Sequence, residues 1–301
     1  VFDPTFYIEG VTCLMLHHNR ITNDTATSVQ SSLISVINSS NIAIESNIFN
    51  GTTFRAPSIK IDSSTNIIIR DNILPKNYNG SQIVVNATNY VYVVNNIIPT
   101  KVTGDYYGLY FKDSDFLVID KNIIGTQGLQ NLIINSTNKL ECVTITNNAF
   151  EGGTVVASLA TVELHKISNL LFIGNIVRTK NVNTRDVVID TTTKAIFSSN
   201  IFSADVYIDS GTQAIVEKNF GNISYAILAN NISIFNNGSR DNYISSQNTN
   251  NTPYYYKKQY ILQFYPVKFL YPTILLIYFY IPCIILLSNI YGRFLWKNKM
   301  E

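Results

Sequence analysis

Apolar and polar positions alternate along most of the first 235 residues, and the alternation returns at a nearly fixed interval. An asparagine followed by two mostly apolar residues recurs at Asn47, Asn72, Asn96, Asn122, Asn148, Asn175 and Asn200, with spacings of 25, 24, 26, 26, 27 and 25. Asn19 extends the series upstream, and Asn219 extends it downstream after a shorter interval. Five and three positions before each asparagine stand apolar pairs: Leu14/Leu16, Ile42/Ile44, Ile67/Ile69, Val91/Val93, Leu117/Ile119, Val143/Ile145, Leu170/Phe172, Ala195/Phe197 and Ala214/Val216. A second set lies thirteen and eleven positions before it, from Phe6/Ile8 and Ile34/Val36 to Val187/Ile189 and Val206/Ile208. The coil ending at Asn148 uses Leu132/Ile134 and needs a short insertion near 138–141. Alternation at period two predicts strands whose pairs point inward.

Two or three short strands in about 25 residues, always in the same order, cannot all be hairpins. Successive repeats should stack in parallel, each about 4.8 Å beyond the last. The chirality of parallel crossovers makes a right-handed coil the default. The expectation is an all-β, right-handed parallel β-helix of about nine coils over residues 1–237. The leucine-rich-repeat frame L-x-x-L-x-L-x-x-N, of similar length, is absent. The recurring asparagine has a structural explanation: a short amide at a bend tolerates left-handed backbone, bonds to nearby peptide groups, and can bond to its counterpart one coil away. Repeats such as Ile61-Asp-Ser-Ser-Thr-Asn-Ile-Ile-Ile-Arg-Asp-Asn-Ile73 resemble those of right-handed parallel β-helix proteins, most closely the NosD-like, carbohydrate-binding and sugar-hydrolase repeat class. The resemblance covers roughly residues 6–235 and implies a fold far more than a function. No cap precedes Phe6, and solenoid ends need covering, so further coils or another domain are expected upstream of Val1.

The scarcity of charge and of Ala, with abundant Asn, Ile, Ser, Thr and Tyr, agrees with strands and turns rather than exposed helices. After Pro253 there are six basic residues and one acidic residue; before it, 16 basic and 19 acidic, a net of −3. No basic face suited to nucleic acid is visible, and no nucleic-acid partner is expected. Residues 238–263 read as a polar linker and juxtamembrane segment. Between Lys268 and Arg293 lie 24 uncharged residues, a helix of about 36 Å against a hydrocarbon core of about 30 Å. The expectation is a transmembrane α-helix over 264–292, kinked at Pro282, and a short basic tail at 293–301. Flanking charge is balanced. Asn-x-Ser/Thr sequons at Asn23, Asn38, Asn50, Asn79, Asn86, Asn135, Asn222, Asn231, Asn237 and Asn250 place the β-helix outside the cell, leaving the C-terminus cytoplasmic. The expected location is the cell membrane, single-pass.

Stacking turns distant residues into neighbours, so chemistry is sought down columns. Ten positions before the repeat asparagine, consecutive coils present His165, Asp190 and Asp209, a set suited to general acid–base catalysis on a glycan. An Asp or Asn at a turn is also explained by its backbone bonds alone. In the first coil Cys13, Met15 and His17 alternate with inward Leu14 and Leu16 and form a soft-ligand set; the NosD-like resemblance implies copper delivery. Cys13 and Cys142 share a column five coils apart, about 24 Å, which excludes a disulfide between them. The Asn-Thr-Asp, Asp-Asp and Gly-His-Gly runs of polygalacturonases are missing, as are phosphate-cradling glycine loops and serine nucleophile elbows, and no cofactor is expected. The function that needs least beyond the sequence is a non-catalytic surface stalk or a module binding glycans or cell-envelope proteins. Polysaccharide hydrolysis or lysis, and NosD-like copper handling, are the alternatives.

Overall fold

The computed structural model describes residue 4 and residues 6–239, apart from 24–31, 52–55, 76–80, 100–106, 127–129, 139, 153–159, 180–184, 209–212, 222–224, 228–230 and 236–237. The expected membrane helix, the basic tail and all but the first two residues of the linker lie outside this set. Among the described residues no helix is long and apolar enough to cross a membrane.

The chain winds as a right-handed parallel β-solenoid. One strand of every coil joins a ten-stranded sheet running from Phe6–Glu9 to Tyr225–Ile227 (sheet A), and the next joins a second ten-stranded sheet from Leu14–His17 to Asn231–Phe235 (sheet B). A third, sheet C, runs from Ile97–Ile98 to Gly238–Ser239 in seven strands. Single bridges through Ile73 link it to the pair Arg20–Asn23 and Ile48–Gly51. Every pairing is between one coil and the next, and the register matches the apolar columns: Phe6 with Ile34, Ile34 with Ile59, Val91 with Leu117, Leu117 with Val143. The insertion near 138–141 lengthens the connection between Leu132–Asn135 and Leu140–Thr146, and the second strand returns to register, Leu140 pairing with Ile167 and Val143 with Leu170. The last coil extends past the expected boundary at 237, since Gly238–Ser239 pairs with Phe220–Gly221.

The inward columns form one continuous apolar core. Its largest members are Phe49, Phe111, Phe150, Phe172 and Phe197, all fully buried. Phe172 stacks on Phe197 at 4.8 Å between ring centroids with 14° between planes, and on Phe150 at 6.4 Å. Along sheet C the outward residue after each repeat asparagine is apolar over most of the length, giving an exposed ridge through Ile48, Ile73, Ile97, Ile123, Ile201 and Phe220.

Three polar ladders hold the corners. Between sheets B and C, the side-chain oxygen of each repeat asparagine accepts both the backbone N–H and the amide N–H of the asparagine one coil earlier, from Asn19→Asn47 at 2.9 and 3.0 Å through to Asn200→Asn219 at 2.9 Å for both. Its own amide also donates to a strand carbonyl of the preceding coil, as Asn122 does to Val93 at 2.8 Å. The left-handed residue at this bend is not the asparagine, as expected from its tolerance, but the one before it: His18, Ser46, Asp71, Asn95, Lys121, Asn147, Gly174, Ser199 and Lys218. The asparagine keeps ordinary φ because its side chain must point inward and lie along the axis. At Gly174 the backbone has φ +67, which glycine adopts without strain, and a Cβ there would displace the Asn147 side-chain amide, 2.7 Å away. Between sheets A and B, Ser39, Ser64, Thr88 and Ser114 each accept a backbone N–H from the preceding coil and donate to a carbonyl two residues back. At the third corner, buried polar residues staple the chain seven residues back: Gln82 donates to Pro75 O at 2.9 Å, Asn131 donates to Ile124 O at 3.1 Å, and Asp186 accepts from Thr179 N at 3.1 Å.

Candidate functional site

Outward side chains of sheet A carry the titratable cluster. His165 and Asp190 end their strands in register, one coil apart. The ring nitrogen Nδ1 of His165 lies 3.6 Å from Asp190 Oδ2, and Nε2 lies 3.6 Å from Glu163 Oε2. Glu163 was not singled out from sequence, although alternation puts it two residues before His165 on the same face. Its second oxygen accepts the Ala160 N–H at 3.1 Å. Burial pushes the Glu163 carboxyl up, but bonds from His165, the Ala160 N–H and Gln130 outweigh it and hold the group below its ordinary value. The Glu163 hydrogen bond, working against burial, raises His165 above its ordinary 6.5, and Asp190 adds to the rise. His165 therefore sits between two carboxylates that favour its protonated form. Asp209 lies outside the described residues.

A second titratable group was also missed. Asp186 is fully buried and accepts the backbone N–H groups of Thr179, Ser203 and Ala204 and the Ser203 hydroxyl. Burial raises it to about 6 in spite of those donors. It closes its own corner and ties it to the next coil, which is a structural task.

In the first coil Cys13, Met15 and His17 are exposed on the outer side of sheet B, alternating with half-buried Leu14 and Leu16. His18, unremarked in the sequence, brings its Nδ1 to 2.8 Å from that of His17. Cys13 and Cys142 are both free thiols.

The remaining feature is a groove at the corner between sheets A and B. It has a volume of about 430 Å³ and is lined by the turn residues 10–12, 38–40 and 63–65 and by Ala87, from four successive coils. None of its ten lining residues carries an ionisable side chain. The column bordering it on the sheet B side runs Asn41, Asn66, Tyr90, Phe116, all with positive φ. Asn66 donates to Asn41 at 3.1 Å, Asn41 donates to Thr12 O at 3.1 Å, and Tyr90 stacks on Phe116 at 4.8 Å with 10° between planes.

Of the sequon asparagines, Asn38 and Asn135 are exposed and Asn50 and Asn86 half-buried. The side chains of Asn23 and Asn231, and the residues Asn79, Asn222, Asn237 and Asn250, lie outside what the structure describes.

A parallel solenoid of about 25 residues per coil, with a continuous apolar core and a buried asparagine ladder at one corner, places the chain in the β-helix repeat class. Residues 3–165 match the family model described as periplasmic copper-binding protein (NosD). That is more than half of the chain, and the chain belongs to the NosD family. No curated protein matches the sequence. Similar solved structures include the Streptococcus pneumoniae surface protein and adhesin PfbA, at 12% identity, 78% of each chain and a TM-score of 0.42. The GH136 lacto-N-biosidase of Eubacterium ramulus is similar at 10% identity, over 81% of this chain and 61% of that one, with a TM-score of 0.39. The Dettilon tailspike protein is similar at 10%, over 76% and 61%, with a TM-score of 0.32.

The family description raises copper. Cys13, Met15 and His17 follow one another along a single strand, alternate residues being about 6.6 Å apart, and the His17 ring is engaged by His18. They are strung along the face rather than gathered about a point. Among the described residues no group of three or more His, Cys, Asp or Glu side chains is placed to hold a metal ion.

Proposed function

We propose that the chain is the non-catalytic stalk and binding module of a cell-surface protein, with the β-solenoid outside the cell, residues 264–292 crossing the membrane and 293–301 inside. Its partners would be glycans or other polymers of the cell envelope. The observation that carries this reading is that outward charges of successive coils pair with one another at three places. Glu45 pairs with Arg70 at 2.8 Å, Glu151 with Arg178 at 3.6 Å, and Asp190 with His165 at 3.6 Å. Such pairs tie the outer faces of adjacent coils together.

The competing reading is acid–base chemistry on a polysaccharide at Glu163, His165 and Asp190, favoured by the raised pKa of His165. Incubating the full chain with a panel of cell-envelope polysaccharides separates the two. Retention of polymer with no shortening of it is expected. Release of oligosaccharide that disappears in Glu163→Gln would establish the enzyme and overturn the stalk. Protease treatment of intact cells is expected to remove the solenoid; a solenoid left whole would reverse the orientation.

A further inference from the structure

We propose that the apolar ridge along sheet C is an interface between two copies of this chain, lying antiparallel about a two-fold axis that runs along the strand Ile97–Ile98. Among the described residues, six of the eight large apolar side chains left exposed stand in this one column: Ile48, Ile73, Ile97, Ile123, Ile201 and Phe220, each 42–59% exposed. Single apolar groups scattered over a surface need no explanation, but a contiguous row rimmed by polar residues marks a contact surface. Stacking between coils does not account for the row, since threonine suits an outward strand position as well and keeps its hydroxyl in water. One edge of the row is formed by the left-handed bend residues, among them Asp71, Asn95 and Lys121, all exposed.

Spacing, charge and area name the occupant. Ile48, Ile73, Ile97 and Ile123 stand in register on consecutive coils and so recur about every 4.8 Å. A partner that meets them side chain for side chain needs the same repeat, and a second copy has it. With the axis on the coil of Ile97, the coils before and after it exchange places. Ile73 then faces Ile123 of the second copy, and Ile97 faces its own counterpart. Asp71 and Lys121, one coil to either side of Asn95, face each other twice across the pair. Within the chain Asp71 lies 3.9 Å from Arg70 and Lys121 3.7 Å from Asp120, exposed contacts of little strength. One coil further out, Ser46 and Asn50 face Asn147 and Glu151, so no like charges are opposed over these five coils. A parallel pair would set Asp71 against Pro75 and Lys121 against Gly125, leaving both charges unmatched. The shared footprint runs from the coil of Asn19 to that of Asn175 and is roughly 29 by 13 Å. That is about half of the ~800 Å² per partner of a standard interface, so the pair is weak and reversible.

The test uses the full chain in detergent micelles, on account of its uncharged run between Lys268 and Arg293. Sedimentation equilibrium should show a reversible monomer–dimer equilibrium. Ile73→Asn together with Ile123→Asn should weaken it by about tenfold or more. Asp71→Lys should weaken it by about threefold or more. Adding Lys121→Asp should then restore it to within about twofold of the parent, since both residue types already occupy this column. Direction is read by cross-linking single cysteines in a chain whose Cys13, Cys142 and Cys283 are changed to alanine. Facing sheets stand about 10 Å apart, too far for a disulfide, so a bifunctional thiol reagent of about 5 Å span is used. Ile97→Cys, on the axis, should cross-link the two copies. Ile201→Cys, equally exposed at 42% but outside the shared footprint, should not. Thermal melting shows whether each variant has folded; if Asp71→Lys has not, the isoleucine variants and the cross-linking pattern decide. A parent that stays monomeric, association unchanged in the folded isoleucine variants, a folded charge swap that restores nothing, or equal cross-linking at the two cysteine positions overturns the pairing.

Discussion

At the scale of single residues, buried polar side chains decide more than the apolar ones between them. Asn122 receives two N–H groups of Asn96 and donates to Val93 O, Asp120 O and Asn148 Oδ1. Removing it strands groups that water cannot reach, at about 1–3 kcal/mol each. Asn122→Ala should therefore lower stability by about 2–5 kcal/mol in a denaturant titration, whereas Asn135→Ala, at an exposed position with ordinary φ, should change it by less than about 0.5 kcal/mol. Asp186 adds a pH dependence. Its folded pKa, about 6, lies above its ordinary value of 3.8, so the folded chain holds the proton more tightly. The contribution is complete below about pH 4 and is lost as pH rises through 6, a span worth about 3 kcal/mol. In Asp186→Asn that slope should vanish; a slope unchanged by the substitution would assign it to another group. The asparagine column was legible because one residue type recurs at one interval. The left-handed position beside it was not. Its occupants are His, Ser, Asp, Asn, Lys and Gly, and only backbone geometry unites them.

At the scale of strands and sheets, alternation fixed which face each residue meets but not which outward neighbours touch. His165 and Asp190 could be placed together from the repeat. Glu163 belongs to the same cluster through side-chain reach along its own strand, and no column reading finds that. The His165 pKa is raised, so its stabilising contribution is full below its ordinary 6.5 and is lost as pH rises through the folded value. Glu163→Gln removes the larger cause. The His165 titration midpoint, followed by NMR, should fall toward the ordinary value; a midpoint that did not move would mean that Glu163 does not face the ring in solution. The core has its own weak point. Phe172 is packed among Phe150, Phe197 and Phe202, and Phe172→Ala should cost about 3–5 kcal/mol by leaving a cavity that sheets on three sides cannot close. The staple residues Gln82, Asn131 and Asp186 were invisible as a set, because each is a different residue type after a stretch of varying length.

For the molecule as a whole, every coil contacts only its neighbours, so local order propagates by stacking rather than by long-range closure. The same stacking makes function a property of columns. Residues that occur once per coil become a continuous surface. The turn residues were readable in sequence as polar punctuation. The stacking of Tyr90 on Phe116 was not, because Asn41 and Asn66 hold those same positions in earlier coils. Ligand-observed NMR on one mixture of the full chain with neutral hexasaccharides reads binding and turnover together. The account predicts saturation transfer to sugar ring protons and reducing-end signals that stay constant with time. Absence of transfer, or steady growth of new reducing ends, would contradict it.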